Sequence, residues 1–176
     1  IAIASTSQVV SYFPASFTFT VTNVNQLPAN TYAKIYIPVE VGVSASQINC
    51  QAGGSAVSCS YDSTTRMVTL SSISASAISA GALVSTPLVV NNLNNPSSTT
   101  PTSSFGVYLL NSLDQVVEYQ SAGLTFTCSQ AANFYAINMI LNNTVNSAPT
   151  SLSVSFSITA SNYVNSSLLA ITFPAL

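Results

Sequence analysis

The side chains that could carry acid–base chemistry are few in this chain of 176 residues, which contains no histidine. The charged residues are two bases and four acids, namely Lys34, Arg66, Glu40, Asp62, Asp114 and Glu118. A Ser–His–Asp or Cys–His arrangement cannot form without histidine, and a carboxylate pair needs two acids that converge on a cleft. Because each acid is better explained by a solvated loop or edge position, we predict that the protein is not an enzyme.

The expected positions of these charges are all structural. Asp114 lies in a predicted turn, and Glu118 lies on the edge strand that follows it. Asp62 and Arg66 lie close enough in sequence for a surface ion pair of small value. Lys34 and Glu40 flank Pro38, where charge would discourage indiscriminate pairing of an edge strand.

The three cysteines are Cys50, Cys59 and Cys128. They cannot form a tetrahedral zinc site, which needs four ligands, and the acids are not grouped as calcium loops require, so we predict no metal and no cofactor. Cys50 and Cys59 flank the Gly53-Gly54 turn, where a disulfide would bridge neighbouring strands; two free core thiols are the alternative. Cys128 is left as a buried thiol, or as the partner of another chain or a missing segment.

The composition leaves few ways to stay in solution. Charged residues make up 3% of the chain, hydrophobic residues make up 48%, and the mean hydropathy is +0.47, whereas ordinary globular proteins carry roughly 25% charged residues. Such a surface dissolves poorly alone, so we expect it to be assembled, coated in sugar, or both. We predict no membrane span, because no apolar run reaches roughly 18 residues, and no nucleic-acid binding, because no basic patch exists.

Hydroxyl and amide side chains supply the candidate glycan sites. Two N-glycosylation sequons begin at Asn142 and Asn165, while the proline in Asn95-Pro96-Ser97 excludes a third. A proline-flanked hydroxyl run is either a plain polar loop or an O-glycosylated segment, with the candidates Ser97, Ser98, Thr99, Thr100, Thr102, Ser103 and Ser104. Together with the expected disulfide, these sites predict an extracellular protein, either secreted or at the cell surface.

Hydrophobic residues alternate with a period of two along most of the chain, which is typical of strands with one buried face. Residues 16–22 are the clearest case, and residues 83–90 and 105–110 are more continuously apolar, as in strands covered on both sides. Residues 62–65 predict a hairpin loop, and residues 71–81 predict a loop with at most one helical turn. The pattern predicts an all-β fold, an Ig-like antiparallel β-sandwich.

An internal repeat divides the chain. Phe17, Phe19 and Val21 match Val154, Phe156 and Ile158 at an offset of 154 − 17 = 137, and residues 33–38 match residues 169–174 at 174 − 38 = 136. Chance similarity of hydroxyl-alternating strands is the alternative. The repeat predicts a sandwich domain over residues 1–130 and a partial second unit over residues 131–176, completed by further chain or by a neighbouring subunit. The apolar candidates for such assembly are Ile1, Ile3, Leu168, Ile171 and Phe173.

The stretch from Leu88 to Phe105, with Leu110-Asn111-Ser112-Leu113-Asp114 after it, combines an apolar strand, Asn-Pro, a hydroxyl run, a second strand and an acidic turn. It resembles the tandem extracellular repeats of ciliate-type cell-surface proteins. The chain is also similar to subunits of extracellular glycoprotein fibrils with stacked Ig-like domains. The resemblance implies Ig-like repeats, secretion and glycosylation. The chain departs from antibody-type domains because it lacks Trp, and the close Cys50–Cys59 spacing is not expected to give their inter-sheet bridge.

These observations predict a structural subunit of a glycosylated extracellular filament or surface coat. Subunits would join head to tail as a homopolymer, through sheet edges and apolar faces. The alternative is an adhesin or carbohydrate-binding module, which would need a concave site with convergent polar groups and unburied tyrosines.

Overall fold

The computed structural model describes residues 1–130, 135–141 and 151–157. The chain divides into two compact units, Ile1–Gln130 and Ala131–Leu176. The elements of the first unit, in chain order, are β1 (Ala2–Ser5), β2 (Ala15–Thr20), β3 (Tyr32–Tyr36), β4 (Gly42–Val43), β5 (Asn49–Ala52), β6 (Ser55–Val57), β7 (Cys59–Asp62), β8 (Met67–Leu70), a 3₁₀ helix (Ala82–Ser85), β9 (Leu88–Asn94), β10 (Gly106–Leu110) and β11 (Val116–Gln120).

These strands form two antiparallel sheets that pack against each other. The first sheet has the order β1-β2-β9-β5-β6, and the short β4 also pairs with β9. The second sheet has the order β11-β10-β3-β8-β7. The predicted all-β antiparallel sandwich is therefore confirmed.

The core forms because alternating strands turn one face of each sheet inwards. In β2, Phe17 and Phe19 are fully buried, while the hydroxyl residues between them point away from the core. Phe105 lies 5.6 Å from each of these two rings, and Phe126 lies 5.0 Å from Phe17, measured between ring centroids. Because aromatic rings bury large apolar areas and favour tilted or edge-on contacts, this group anchors the sandwich.

The shortest of the connections between the two sheets is a single residue, Ser58, which joins β6 to β7. The hairpin of β5 and β6 turns at Gly53 and Gly54, whose φ angles of 57° and 80° are both positive, as tight two-residue turns require. Val57 ends β6 in the first sheet, and Cys59 begins β7 in the second. The main-chain oxygen of Ser58 accepts hydrogen bonds from both the amide and the hydroxyl of Ser71.

The hairpin loop predicted at residues 62–65 is confirmed between β7 and β8. The expected Asp62–Arg66 ion pair is wrong. Asp62 accepts hydrogen bonds from the Thr64 amide and the Thr65 hydroxyl, which lower the pKa of its carboxyl group. Arg66 instead donates to the main-chain oxygens of residues 37, 38 and 41, because a guanidinium group carries several donors in a fixed fork.

Two further expectations need correction. Residues 83–90 do not form one strand, because the Leu83 amide is held by the side chain of Asn23 and the ladder begins only at Leu88. Lys34 does not lie at a sheet edge, since β3 is the central strand of the second sheet. Glu40 lies in a turn after β3, where its carboxylate accepts hydrogen bonds from the amide and hydroxyl of Ser103.

The second unit contains β12 (Tyr135–Leu141) and β13 (Leu152–Ser157), which pair antiparallel. The bounds of β13 correspond to those of β2 at both ends, 152 − 15 = 137 and 157 − 20 = 137. In each unit this strand pairs antiparallel with the strand before it, β1 with β2 and β12 with β13.

Candidate functional site

One side of the sandwich is closed by a covalent bond. Cys50 on β5 and Cys59 on β7 form the predicted disulfide, with their Cα atoms 6.0 Å apart. Because β5 belongs to the first sheet and β7 to the second, this is an inter-sheet bridge. The expectation that so close a spacing could not span the sheets is wrong, since the chain changes sheet at Ser58, between the two cysteines.

The opposite side of the sandwich is open. Its two boundaries are β1, an edge strand of the first sheet, and β11, an edge strand of the second. Of the predicted assembly residues, Ile1 and Ile3 lie here, half-buried against the core, and β1 pairs with β2 as an ordinary first strand. The remaining assembly candidates, Leu168, Ile171 and Phe173, lie outside the described residues.

A cavity of about 250 Å³ lies between these two edges. Val21, Val107 and Leu109 give it an apolar wall, and Ile1, Thr22, Val24, Glu118, Tyr119 and Gln120 complete the lining. The Ile1 nitrogen donates to Gln120 Oε1 across the gap between the edge strands, at 3.3 Å. The cavity therefore combines an apolar wall with polar groups from the segment after β2 and from β11.

Glu118 is the unusual member of this cavity. Sequence considerations placed it on a solvated edge, but it points to the inner side of β11, opposite the buried Leu109. Its Oε1 atom accepts a hydrogen bond of 2.8 Å from the Val24 amide. Its Oε2 atom is buried and has no hydrogen-bond partner among the described residues, an arrangement that native proteins rarely leave without a ligand or water.

Tyrosines form a face on the outer side of the second sheet. Tyr108 lies between Lys34 on β3 and Tyr119 on β11 in the strand register. The Tyr108 and Tyr119 rings are stacked, with centroids 5.9 Å apart and planes 7° from parallel. Gly106 makes room for this arrangement, because a Cβ atom there would lie 3.0 Å from the Tyr108 ring. Tyr119 is 64% exposed and reaches the rim of the cavity.

Asp114 links the turn before β11 to this face. Its Oδ1 atom accepts hydrogen bonds from the Tyr32 hydroxyl and, at 2.9 Å, from Lys34 Nζ. Desolvation, the hydrogen bond to Asp114 and the negative charge of Asp114 raise the pKa of Tyr32 to about 12. The bonds from Tyr32 and Lys34 lower the pKa of the Asp114 carboxyl group. The solvated turn position predicted for Asp114 is confirmed, but it is also an ion-pair partner.

The hydroxyl run divides into an exposed half and an engaged half. Ser97, Ser98, Thr99 and Thr100 are exposed. Thr102 is only 4% exposed, and its hydroxyl oxygen accepts a hydrogen bond from the Phe126 amide. This burial makes Thr102 unsuitable as an O-glycan acceptor in the folded chain, which corrects that prediction.

The last two hydroxyl candidates also make structural bonds. The Ser104 hydroxyl donates to the main-chain oxygen of Phe105 and accepts from the Leu124 amide. The exposed Ser103 hydroxyl donates to Glu40, and this bond is the main reason that the pKa of Glu40 is lowered. The Ser98 hydroxyl also bonds, but only within the run, since it donates to Thr100 Oγ1 and accepts from the Thr100 amide. Geometry therefore favours the exposed first four residues over the last three, whose hydroxyls bond to other parts of the fold.

Asn142 and Asn165, the two sequon residues, lie outside the described residues.

Cys128 is a buried free thiol, and burial raises its pKa. This is one of the three outcomes considered for the unpaired cysteine. Cys128 continues the alternation of buried residues set by Leu124 and Phe126. The next residue, Ser129, pairs with Val9 in an isolated parallel bridge, and its amide donates to the main-chain oxygen of Gln8.

The chain matches no protein-family model, and a search of curated proteins returns no similar sequence. In the part of the chain that the structure describes, no helix is long and apolar enough to cross a bilayer. Over the same residues, no group of three or more acidic, cysteine or histidine side chains is placed to hold a metal ion. The function of the chain must therefore be inferred from the geometry of the sandwich itself.

Proposed function

We propose that this chain is a structural subunit of an extracellular, glycosylated filament or surface coat, built from tandem Ig-like units and assembled as a homopolymer. The observation that carries the proposal is the unguarded state of the open side. Natural proteins protect free sheet edges with outward charges, prolines or covering segments. β1 carries only small or apolar residues and serine, and the single charge on β11, Glu118, points inwards.

Exposed apolar side chains surround the same edge. Leu113 and Val116, at the turn into β11 and at its start, are 75% and 52% exposed. Because the whole chain has six charged side chains, little electrostatic repulsion opposes contact between copies. An edge of this kind supports β-strand addition from a neighbouring subunit.

The second unit supports the same proposal. Its described part is the two-stranded pair β12–β13, and an isolated two-stranded sheet is at best marginally stable in water. Its strand β13 corresponds to β2 by the offset of 137 residues, and each of these strands pairs antiparallel with the strand before it. In a tandem polymer, strands of a neighbouring unit would pair with it, which joins one unit to the next.

The extracellular setting is supported by the disulfide, since such bonds persist in oxidising compartments. The exposed residues 97–100 offer hydroxyls for O-glycans on a surface that is otherwise poorly hydrated.

The proposal is tested by placing one charge on the open edge. Ala4 is exposed on β1, and we expect Ala4→Lys to abolish or strongly reduce filaments in electron microscopy and light scattering, because an edge lysine opposes strand pairing. Ala45→Lys, in an exposed loop away from both edges, is the matched control and should leave assembly intact. A wild-type chain that stays monomeric at high concentration would contradict the proposal.

A further inference from the structure

The cavity between β1 and β11 contains an acceptor that the fold does not use. Leaving a carboxylate oxygen buried without a donor costs free energy, and the cost is larger for a charged group than for a neutral one. The fold does not need Oε2 for structural bonding, because the contact of Glu118 with the Val24 amide is made by its other oxygen, Oε1. A site that retains such a group is explained by a ligand that supplies the missing donor.

The size and lining of the cavity limit which kinds of ligand it can hold. A volume of about 250 Å³ lies just below the roughly 300–1,000 Å³ of pockets for drug-sized molecules, so the cavity suits one small ring or side chain. Its wall of Val21, Val107 and Leu109 suits an apolar surface, and Thr22, Glu118 and Gln120 add polar groups to the lining. The ligand must therefore combine an apolar face with hydrogen-bond donors.

The distribution of polar groups favours a sugar over an amine. Thr22, Glu118 and Gln120 all line the cavity, and they come from two segments of the chain, the one after β2 and β11. A pyranose ring matches this arrangement because its hydroxyls radiate from its edge while its C–H face is apolar. Gln120 already bonds to Ile1 and to the main-chain oxygen of Ala122. An alkylammonium group would engage Glu118 and would leave Thr22 without a role, whereas a sugar has hydroxyls for both.

We propose that this cavity binds one neutral pyranose residue of a glycan chain, with Glu118 Oε2 accepting a hydrogen bond from a sugar hydroxyl and the apolar face of the ring lying against Val21, Val107 and Leu109. The inference is independent of filament formation, since all the lining residues belong to one unit of one chain. It assigns to the protein a saccharide-binding activity in addition to a structural role.

The test is a titration of the full chain with methyl glycosides of neutral hexoses and with an array of neutral glycans. We expect saturable binding to at least one of them, weakened about tenfold or more in Glu118→Gln, because a hydrogen bond to a charged acceptor is worth roughly 1.5–3 kcal/mol. Glu40→Gln is the matched control, since Glu40 lies outside this cavity, and it should bind like the wild type.

Three results would overturn the inference. They are an absence of binding to any neutral glycan, a Glu118→Gln variant that is folded by circular dichroism and binds normally, and binding of n-butylammonium without binding of sugars. Glycans released from the protein itself, compared with foreign glycans, distinguish a sugar of a neighbouring copy from an external one. Electron microscopy of Glu118→Gln separates this question from assembly, because filaments should still form when sugar binding is lost.

Discussion

Cys50 and Cys59 are nine positions apart, yet their disulfide joins the two different sheets of the sandwich. The bond holds the corner where the chain changes sheet at Ser58. It also fixes β5 and β7 beside each other, so that this side of the domain cannot separate without breaking a covalent bond. The other side, between β1 and β11, is held by non-covalent contacts alone.

The first prediction concerns this disulfide. Replacing both cysteines, Cys50→Ala with Cys59→Ala, should lower the free energy of unfolding by about 2–4 kcal/mol, because the unfolded chain regains freedom. Urea unfolding followed by circular dichroism measures the change. Cys128→Ala, which alters a buried thiol but no bridge, should cost less. An unchanged midpoint in the double variant would show that the bridge does not stabilise the fold.

The second prediction concerns Tyr32 and Asp114. Tyr32 should titrate with a pKa of about 12, and Asp114→Asn should move that pKa down towards the ordinary 10.0, because the variant removes a charged acceptor. Tyrosinate absorbance during an alkaline titration measures the shift. Glu40→Gln removes a carboxylate that bonds to Ser103 instead, and it should leave the titration of Tyr32 unchanged.

The same pair determines a dependence of stability on pH. Because the pKa of Tyr32 is raised in the folded state, its contribution is complete below pH 10.0 and is lost as the pH rises towards about 12. The pKa of Asp114 is lowered, so its contribution is present above the ordinary pKa and is lost as the pH falls. Asp114→Asn should flatten both limbs, and identical pH profiles for variant and wild type would refute this coupling.

The third prediction concerns Asn23, a buried amide whose groups are fully used. It donates to the main-chain oxygens of Asn25 and Ser79 and accepts from the Leu83 amide. Asn23→Ala should lower the free energy of unfolding by about 2–3 kcal/mol, since it leaves buried partners unsatisfied. Asn25→Ala is the matched control, because that exposed residue contributes only its main chain. A loss within about 0.5 kcal/mol for Asn23→Ala would contradict the assigned role.

The fourth prediction concerns O-glycans. Peptide mapping of protein from its native source should place hexose or other O-linked mass on residues 97–100 and none on Thr102, whose hydroxyl is buried and hydrogen-bonded. Thr99→Ala should remove a share of that mass, whereas Thr102→Ala should leave the mass unchanged. An intact mass equal to the bare 18.2 kDa would exclude glycosylation altogether.

Local alternation was sufficient to predict the strands and the sandwich. The period of two that buries Phe17 and Phe19 is a property of neighbouring residues, and it survives in any β-sandwich. The hairpin at residues 62–65 and the Cys50–Cys59 bond were predictable for the same reason, because each depends on residues close in sequence.

Features that depend on distant residues were not predictable from the sequence. Glu118 looked solvated because its inward position depends on the register of β11 against β10 and on the bulge between Leu109 and Leu110. Residues 83–85 left the predicted strand because Asn23, some 60 positions earlier, takes the Leu83 amide. The local alternation of Val117, Glu118 and Tyr119 would itself place Glu118 on the solvated face, so no signal near it in the sequence indicated its inward position.

The unequal sides of the sandwich bear on how the domain would respond to force. A force that separates the sheets is resisted by a disulfide between β5 and β7 but only by non-covalent packing between β1 and β11. We therefore expect the β1–β11 side to separate first, while the disulfide acts as a covalent hinge. The hinge would keep both sheets attached and in register, which favours rapid closing when the tension falls. Single-molecule stretching with and without reductant would measure this, and equal refolding rates in the two conditions would argue against a covalent hinge. A polymer of such units would yield under load without coming apart.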